Sequence, residues 1–191
     1  MKDRHSNIAG IRMLVIGASS GIGLALAHAA HVRGARVALA ARRVERLTEL
    51  AEKLDGSAHE LDVSDPHQIE TVVADAAEKL GALDAVVFTS AVVPFALIEE
   101  ILRSWRAEHP ELPVIRASIG PTDGTEILRG ADRDLLGELY RSWAQEGQIP
   151  ATMSAVDDVA NALLSFIAVA RANPTVVSEI VHLAPRAHTK R

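Results

Sequence analysis

The sequence predicts an α/β fold, a doubly wound parallel sheet with helices on both faces. Three observations carry that prediction. Short apolar runs alternate with longer amphipathic ones along most of the chain, the pattern of repeated strand–helix units with right-handed crossovers. The first strand and helix are joined by a glycine turn, Gly17 to Gly23. The run Ala85–Phe88 is almost purely apolar, as expected of a parallel strand buried on both faces.

Met13–Ile16 predicts the first strand and Gly21–Arg33 the first helix, with Gly34 placed to end it. Arg36–Ala40 is the second strand. In the helix near Val44–Leu54, Leu47, Leu50, Ala51 and Leu54 recur at helical spacing, and Asp55-Gly56 stops it. A short third strand ends at Leu61. Ser64-Asp65-Pro66 then starts a helix with Ile69, Val72, Val73, Ala76 and Leu80 on one face and Gly81 at its end.

Past Pro94 the elements shorten. A helical run covers Ala96–Arg106, a loop His109–Pro113 and a strand Val114–Ser118. Gly120–Gly124 is rich in turn residues, and a helix follows near Asp134–Ala144. Another helix starts at Ser154, where Ser154 and Asp157 have the spacing of a capping box ahead of Val159, Ala160, Leu163, Leu164 and Ile167. Glu179–Leu183 is the last strand and Ala187–Arg191 a basic tail. One domain spans residues 1–191, with an ordered core over about 11–185.

The 191 residues suffice to bury a sizeable core. Only 3% are aromatic while 48% are hydrophobic, so the core is built from Ala, Val, Leu and Ile. A formal charge of −5 argues against nucleic-acid or anionic-membrane partners. With no cysteine there is neither a disulfide framework nor a thiolate metal site. Polar Met1–Asn7 has no apolar signal core, and no run approaches the length that spans a bilayer. The expectation is a cytoplasmic protein.

Strand, glycine turn and helix N-terminus together make an anion site, because the first helical N–H groups lack partners and carry partial positive charge. Gly17 permits a sharp turn out of the strand; Gly21 and Gly23 keep β-carbons from a ligand and from the neighbouring strand. Gly17, Ser19, Ser20, Gly21, Ile22 and Gly23 are the candidate phosphate contacts. The spacing, G-x-x-x-G-x-G, differs from the G-x-G-x-x-G fingerprint, and a glycine turn without a ligand is the bland alternative.

Together several residues resemble the short-chain dehydrogenase/reductase family. Gly17, Gly21 and Gly23 match its cofactor loop, with Ile16 where Thr is common. Leu61-Asp62-Val63 looks like the place where the family's Asp meets adenine, and Asp84-Ala85-Val86-Val87 resembles its fourth strand. Phe88-Thr89-Ser90-Ala91 stands for its Asn-Asn-Ala-Gly stretch, and Ala91 brings a methyl group toward the nicotinamide ribose. Ser118-Ile119-Gly120-Pro121, with Thr122 or Thr125 after it, resembles the loop that closes on nicotinamide, and Ser154–Ile167 the last helix. The likeness runs from Arg12 to about Leu183 and implies a Rossmann-like fold that binds a dinucleotide through Asp62, Val63, Ser90, Ala91, Gly120 and Thr122 besides the glycine loop.

The second strand runs into Ala41, Arg42 and Arg43. A carboxylate there would bind the ribose 2′-hydroxyl of NAD, whereas an arginine pairs with a 2′-phosphate. NADP(H) is therefore favoured over NAD(H), with Arg42 the first candidate and Arg43 the second. Two solvated arginines opening a helix are the alternative.

The family's chemistry uses Tyr-x-x-x-Lys on one helix and a Ser on the preceding strand. A nearby ammonium lowers the tyrosine pKa from about 10 so that it exchanges a proton with substrate. Here the single tyrosine, Tyr140, is followed four positions on by Ala144, and Lys2, Lys53, Lys79 and Lys190 are out of register. No catalytic residue is assigned. The chain reads like the family up to Glu99-Glu100 and resumes at Ile101 as the later part of the catalytic helix. About two helix–strand units, at about 30 residues each, are missing between. A true deletion would still permit a six-stranded sheet but would expose apolar surface, so the expectation is a longer chain of which these residues are part.

His28 and His31 share a helix face without an acidic partner, so no metal site is assigned. Asp157 and Asp158 serve a helix N-terminus, and Trp105 and Trp143 are expected to pack. The reading is an NADP(H)-preferring oxidoreductase of short-chain type acting on a small carbonyl or alcohol, compatible with a homo-oligomer. The alternative is a catalytically silent dinucleotide-binding protein.

Overall fold

The structure of the protein, a computed structural model, describes residues 7–89, 116–126, 132–147, 152–173 and 180–184. Four parallel strands, β1 (Arg12–Ile16), β2 (Arg36–Ala41), β3 (Ser57–Glu60) and β4 (Ala85–Phe88), form a sheet in the order β3-β2-β1-β4. Helices α1 (Gly21–Val32), α2 (Val44–Lys53) and α3 (Pro66–Leu80) connect them. This is the predicted doubly wound arrangement. Each crossover lets an amphipathic helix cover one face of a strand pair.

Alternation along β1 assigns its side chains to two cores. Met13 and Val15 join Val37 and Leu39 against α1, α2 and the last helix, through Leu26, Ala27, Leu47, Leu50 and Leu164. Leu14 and Ile16 join Ala38 and Ala40 against α3, through Val72, Ala76 and Leu80. The small aromatic content is met by close packing of Ala, Leu and Val.

Helix ends follow local chemistry. Asp65 caps α3 by accepting the His67 N–H at 3.0 Å, Pro66 opens the helix, and Gly81 closes it at φ 86°. Arg12 and Asp84 clamp the starts of β1 and β4 with paired bonds of 2.9 and 2.8 Å. The Arg12 guanidinium holds the Asp84 carboxyl down at about 2.

Beyond β4 the architecture departs from one continuous sheet. β5 (Arg116–Ile119) pairs in parallel with β8 (Ile180–Leu183), and β6 (Thr122–Asp123) with β7 (Ser154–Ala155). Among the described residues neither pair is joined to the four-stranded sheet. The described residues therefore show a four-stranded sheet and two strand pairs, not the six-stranded sheet that a true deletion would permit. The break falls where the resemblance places the missing helix–strand units. The expected burial of β4 on both faces is corrected: Val86 and Phe88 lie opposite Leu14 and Ile16 in register yet remain 42% exposed, at the sheet edge among the described residues.

Helix α4 (Arg133–Gln145) and helix α5 (Val156–Ala172) complete the described elements. α5 packs along α1 and carries Asp157 and Asp158 in its first turn, as expected. The capping box does not form: Ser154 lies in β7, its N–H donating to the Pro121 carbonyl at 2.9 Å, and Ala155 takes the cap position. Strand pairing with Thr122 outcompetes the local cap. Trp143, expected to pack, is 42% exposed on α4 in line with Leu135 and Leu139. Ser90, Ala91, Trp105 and the predicted helix Ala96–Arg106 lie outside the described residues.

Candidate dinucleotide site

The carboxyl ends of β1, β2 and β4 finish level, with Ile16 opposite both Ala40 and Phe88. The segments leaving them, Gly17–Ser20, Arg42–Arg43 and Thr89, therefore meet at one edge of the sheet, where ligands bind in open α/β folds. Gly17, at φ 88°, turns the chain away from β1 and donates its N–H to the Ala40 carbonyl at 2.8 Å. Gly21 opens α1 at φ 55°.

Gly23 answers to packing instead. A β-carbon on it would lie 2.5 Å from the Thr89 hydroxyl oxygen and against the Gly17 carbonyl. Thr89 is itself fixed, its hydroxyl donating to the Ile16 carbonyl at 2.8 Å and its N–H to the same oxygen at 2.9 Å. The glycine loop, the end of β4 and the first turn of α1 thus form one close-packed unit.

No side chain caps α1. Ser20 occupies the cap position without a capping hydrogen bond, and the first turn carries no acid. The leading amides of this half-buried helix start are thus left to an anion, which fits the pyrophosphate of a dinucleotide. Ser20 instead faces Arg43, whose guanidinium donates to the Ser20 hydroxyl at 3.2 Å and the Ser19 hydroxyl at 2.9 Å. The second arginine candidate is therefore the one that reaches the glycine loop. Arg42 is exposed on the other side, where its charge helps hold Asp62 ionised.

Asp62 follows β3 at the same edge. Its carboxylate accepts the Ser64 N–H at 3.0 Å and the Ser64 hydroxyl at 2.8 Å, and these bonds hold its pKa below the usual carboxylate value. Val63, next along, packs partly against the α3 core.

The loop after β5 is anchored at both ends. Gly120 donates its N–H to the Leu183 carbonyl at 2.7 Å, and Gly124 abuts Val156 at the start of α5. Thr122 turns its hydroxyl back to the Gly120 carbonyl at 2.9 Å. Of the two threonines, Thr125 is the one against the glycine loop: a β-carbon on Gly21 would lie 3.4 Å from its Cα. Glu126 comes next and accepts from Arg43 at 3.1 Å and from Arg46 at 3.4 Å.

Sequence reasoning missed Glu126. It pairs with Arg43 across 83 positions, and no local pattern could have found it. Thr89 likewise emerges only from packing. A cleft of about 300 Å³ between α1 and α2, lined by His28, Arg46 and Lys53 with Glu49, meets the site at Ser19. Among the described residues no cluster of His, Asp and Glu could hold a metal ion. The Tyr140 hydroxyl is buried without a hydrogen-bond partner, and burial raises its pKa.

A family model described as enoyl-(acyl carrier protein) reductase matches residues 17–110. Glycine betaine reductase ATRR of Emericella nidulans is 42% identical over 96 residues, 48% of this chain and 8% of that protein. 11-beta-hydroxysteroid dehydrogenase 1A of Arabidopsis thaliana is 39% identical over 101 residues, 50% of this chain and 29% of that protein. The chain thus spans well under half the length of the curated relatives it matches.

Among solved structures, a short-chain type dehydrogenase/reductase from Mycobacterium marinum superposes with a TM-score of 0.71 at 18% identity, covering 93% of this chain and 95% of that one. L-Sorbose reductase from Gluconobacter frateurii, complexed with NADPH and L-sorbose, gives 0.71 at 19% identity, covering 98% and 100%. At such identities the likeness is one of fold. Over its first half the chain matches the short-chain dehydrogenase/reductase family in sequence, and nearly all of it shares that family's fold.

Proposed function

We propose that the chain binds a nicotinamide dinucleotide, NADP(H) in preference to NAD(H), and serves an oxidoreductase acting on a small carbonyl or alcohol. The observation that carries the cofactor reading is Arg43, which leaves β2 where an acid would select NAD and is held against Ser19 and Ser20. A guanidinium so placed suits the 2′-phosphate, with Arg42 as a second cation. The uncapped start of α1, with Gly17, Gly21, Ile22 and Gly23, takes the pyrophosphate. By resemblance Asp62 and Val63 take the adenine, and Ser90, Ala91, Gly120 and Thr122 the nicotinamide end.

A bound nicotinamide supplies hydride chemistry; the chain's part is to bind and orient it. No proton-transfer role falls to Tyr140, since the residue four positions on is Ala144, not a lysine, and burial makes the hydroxyl a weaker acid. The proposal places the catalytic Ser and Tyr-x-x-x-Lys outside these residues, and adds one domain, a cytoplasmic setting and a homo-oligomer compatible with it. Among the described residues no helix is long and apolar enough to cross a membrane.

The test is titration of NADPH and NADH against the protein and its Arg43→Ala and Arg42→Ala variants, followed by turnover with a panel of carbonyl substrates. Arg43→Ala should weaken NADPH about tenfold and NADH far less. Equal weakening of both would refute the 2′-phosphate assignment. Tight binding without turnover would identify a silent dinucleotide-binding protein instead.

A further inference from the structure

The arginine that would take the 2′-phosphate already holds an anion. Glu126 Oε2 lies 3.1 Å from Arg43 and its Oε1 3.4 Å from Arg46, so one carboxylate bridges both cations. The other guanidinium nitrogen of Arg43 stays on Ser19 and Ser20. Thr125, adjacent to Glu126, sits against Gly21, the glycine whose missing side chain keeps the pyrophosphate approach open. Thr125 and Glu126 therefore lie against the start of the phosphate cradle, with Glu126 in its cationic corner.

Two anions on one guanidinium repel each other at this range, and a 2′-phosphate carries more charge than a carboxylate. A ligand with a 2′-phosphate must displace Glu126 from Arg43, whereas a ligand with a free 2′-hydroxyl can leave the ion pair in place. We propose that Glu126 is a specificity-determining residue, an internal competitor that penalises NADP(H) relative to NAD(H) at the arginine that attracts it. This inference rests on the dinucleotide reading above. It makes the preference a difference between two opposing terms: Arg43 favours the phosphate and Glu126 opposes it.

The test removes the charge and keeps the shape. Dissociation constants for NADPH, NADH, adenosine 2′,5′-bisphosphate and AMP are measured at one fixed salt concentration for the native protein and Glu126→Gln, with Glu126→Ala as a second variant should the first unfold. The two adenosine ligands report the 2′-phosphate corner without the nicotinamide end. Glu126→Gln should tighten NADPH and the bisphosphate by about three- to fivefold, the range of a partly exposed ion pair, and move NADH and AMP by less than twofold. In an Arg43→Ala background the effect should vanish. Equal shifts for ligands with and without the 2′-phosphate, or none, would overturn the role of Glu126 alone. Failure of the native protein and both variants to bind either dinucleotide would overturn the dinucleotide reading and this inference with it.

Discussion

Gly23→Ala should destabilise the protein by about 2 kcal/mol. The new methyl would lie 2.5 Å from the Thr89 hydroxyl oxygen and 2.8 Å from the Gly17 carbonyl carbon, with the Gly17 oxygen nearer still. Thr89 can turn away only by surrendering its 2.8 Å bond to the Ile16 carbonyl, about 1 kcal/mol. The Gly17 carbonyl is backbone and cannot turn, so α1 must shift, an overpacking cost of about 1–3 kcal/mol. Alanine returns at most about 1 kcal/mol in helix propensity. For a chain of 191 residues the net loss lowers the melting temperature by about 4–8 °C. Thermal unfolding followed by far-ultraviolet circular dichroism reads this directly. Gly137, inside α4 with nothing within 4 Å of its β-carbon position, is the opposite case: Gly137→Ala should raise the melting temperature by a degree or more. Melting of Gly23→Ala like the native protein, or shifts of the same sign for both, would refute the packing account of the glycine loop.

Three further outcomes follow from charge. Asp84→Ala removes the carboxylate side of the clamp with Arg12; with both side chains about one-third exposed, solvent screening limits the loss to about 1 kcal/mol in chemical denaturation. Because Asp84 titrates at about 2 in the folded protein against an ordinary 3.8, that stability is present above about pH 3.8 and is lost as pH falls through 2. The Asp84→Ala melting curve should converge on the native one there. His59, buried and 2.9 Å from the Ser57 hydroxyl, has its pKa pushed below 6.5 chiefly by burial and next by Lys79, against a smaller opposite pull from Asp75. The unfolded chain therefore binds the extra proton, and stability falls as pH drops below 6.5. His59→Gln should flatten stability against pH just below 6.5, and an unchanged slope would count against a neutral buried His59.

Legibility followed sequence distance. The glycine loop was readable because strand, turn and helix start are contiguous, so Gly17, Gly21 and Gly23 sit in one stretch whose local geometry dictates their use. The α3 boundaries were readable for the same reason: Asp65, Pro66 and Gly81 act on their own neighbours. Arg42 and Arg43 were both visible at the end of β2, but their order was not. A single step along the chain turns adjacent side chains in different directions, and only the position of Ser19 and Ser20 shows that Arg43 reaches them. Ser154 failed oppositely, because its capping pattern was locally sound and a strand partner 32 positions away took its backbone.

By itself the sequence determined the alternating α/β order, the two apolar faces of β1 and β2, the glycine turn between β1 and α1 and the absence of Tyr-x-x-x-Lys. These depend on periodicity, turn chemistry and residue identity, all written within short windows. Only the tertiary structure decided that, among the described residues, the strands after β4 pair apart from the four-stranded sheet, that Thr89 backs the glycine loop, and that Glu126 holds Arg43. Each joins segments far apart in sequence, and such contacts are settled by packing and charge once the whole chain has folded.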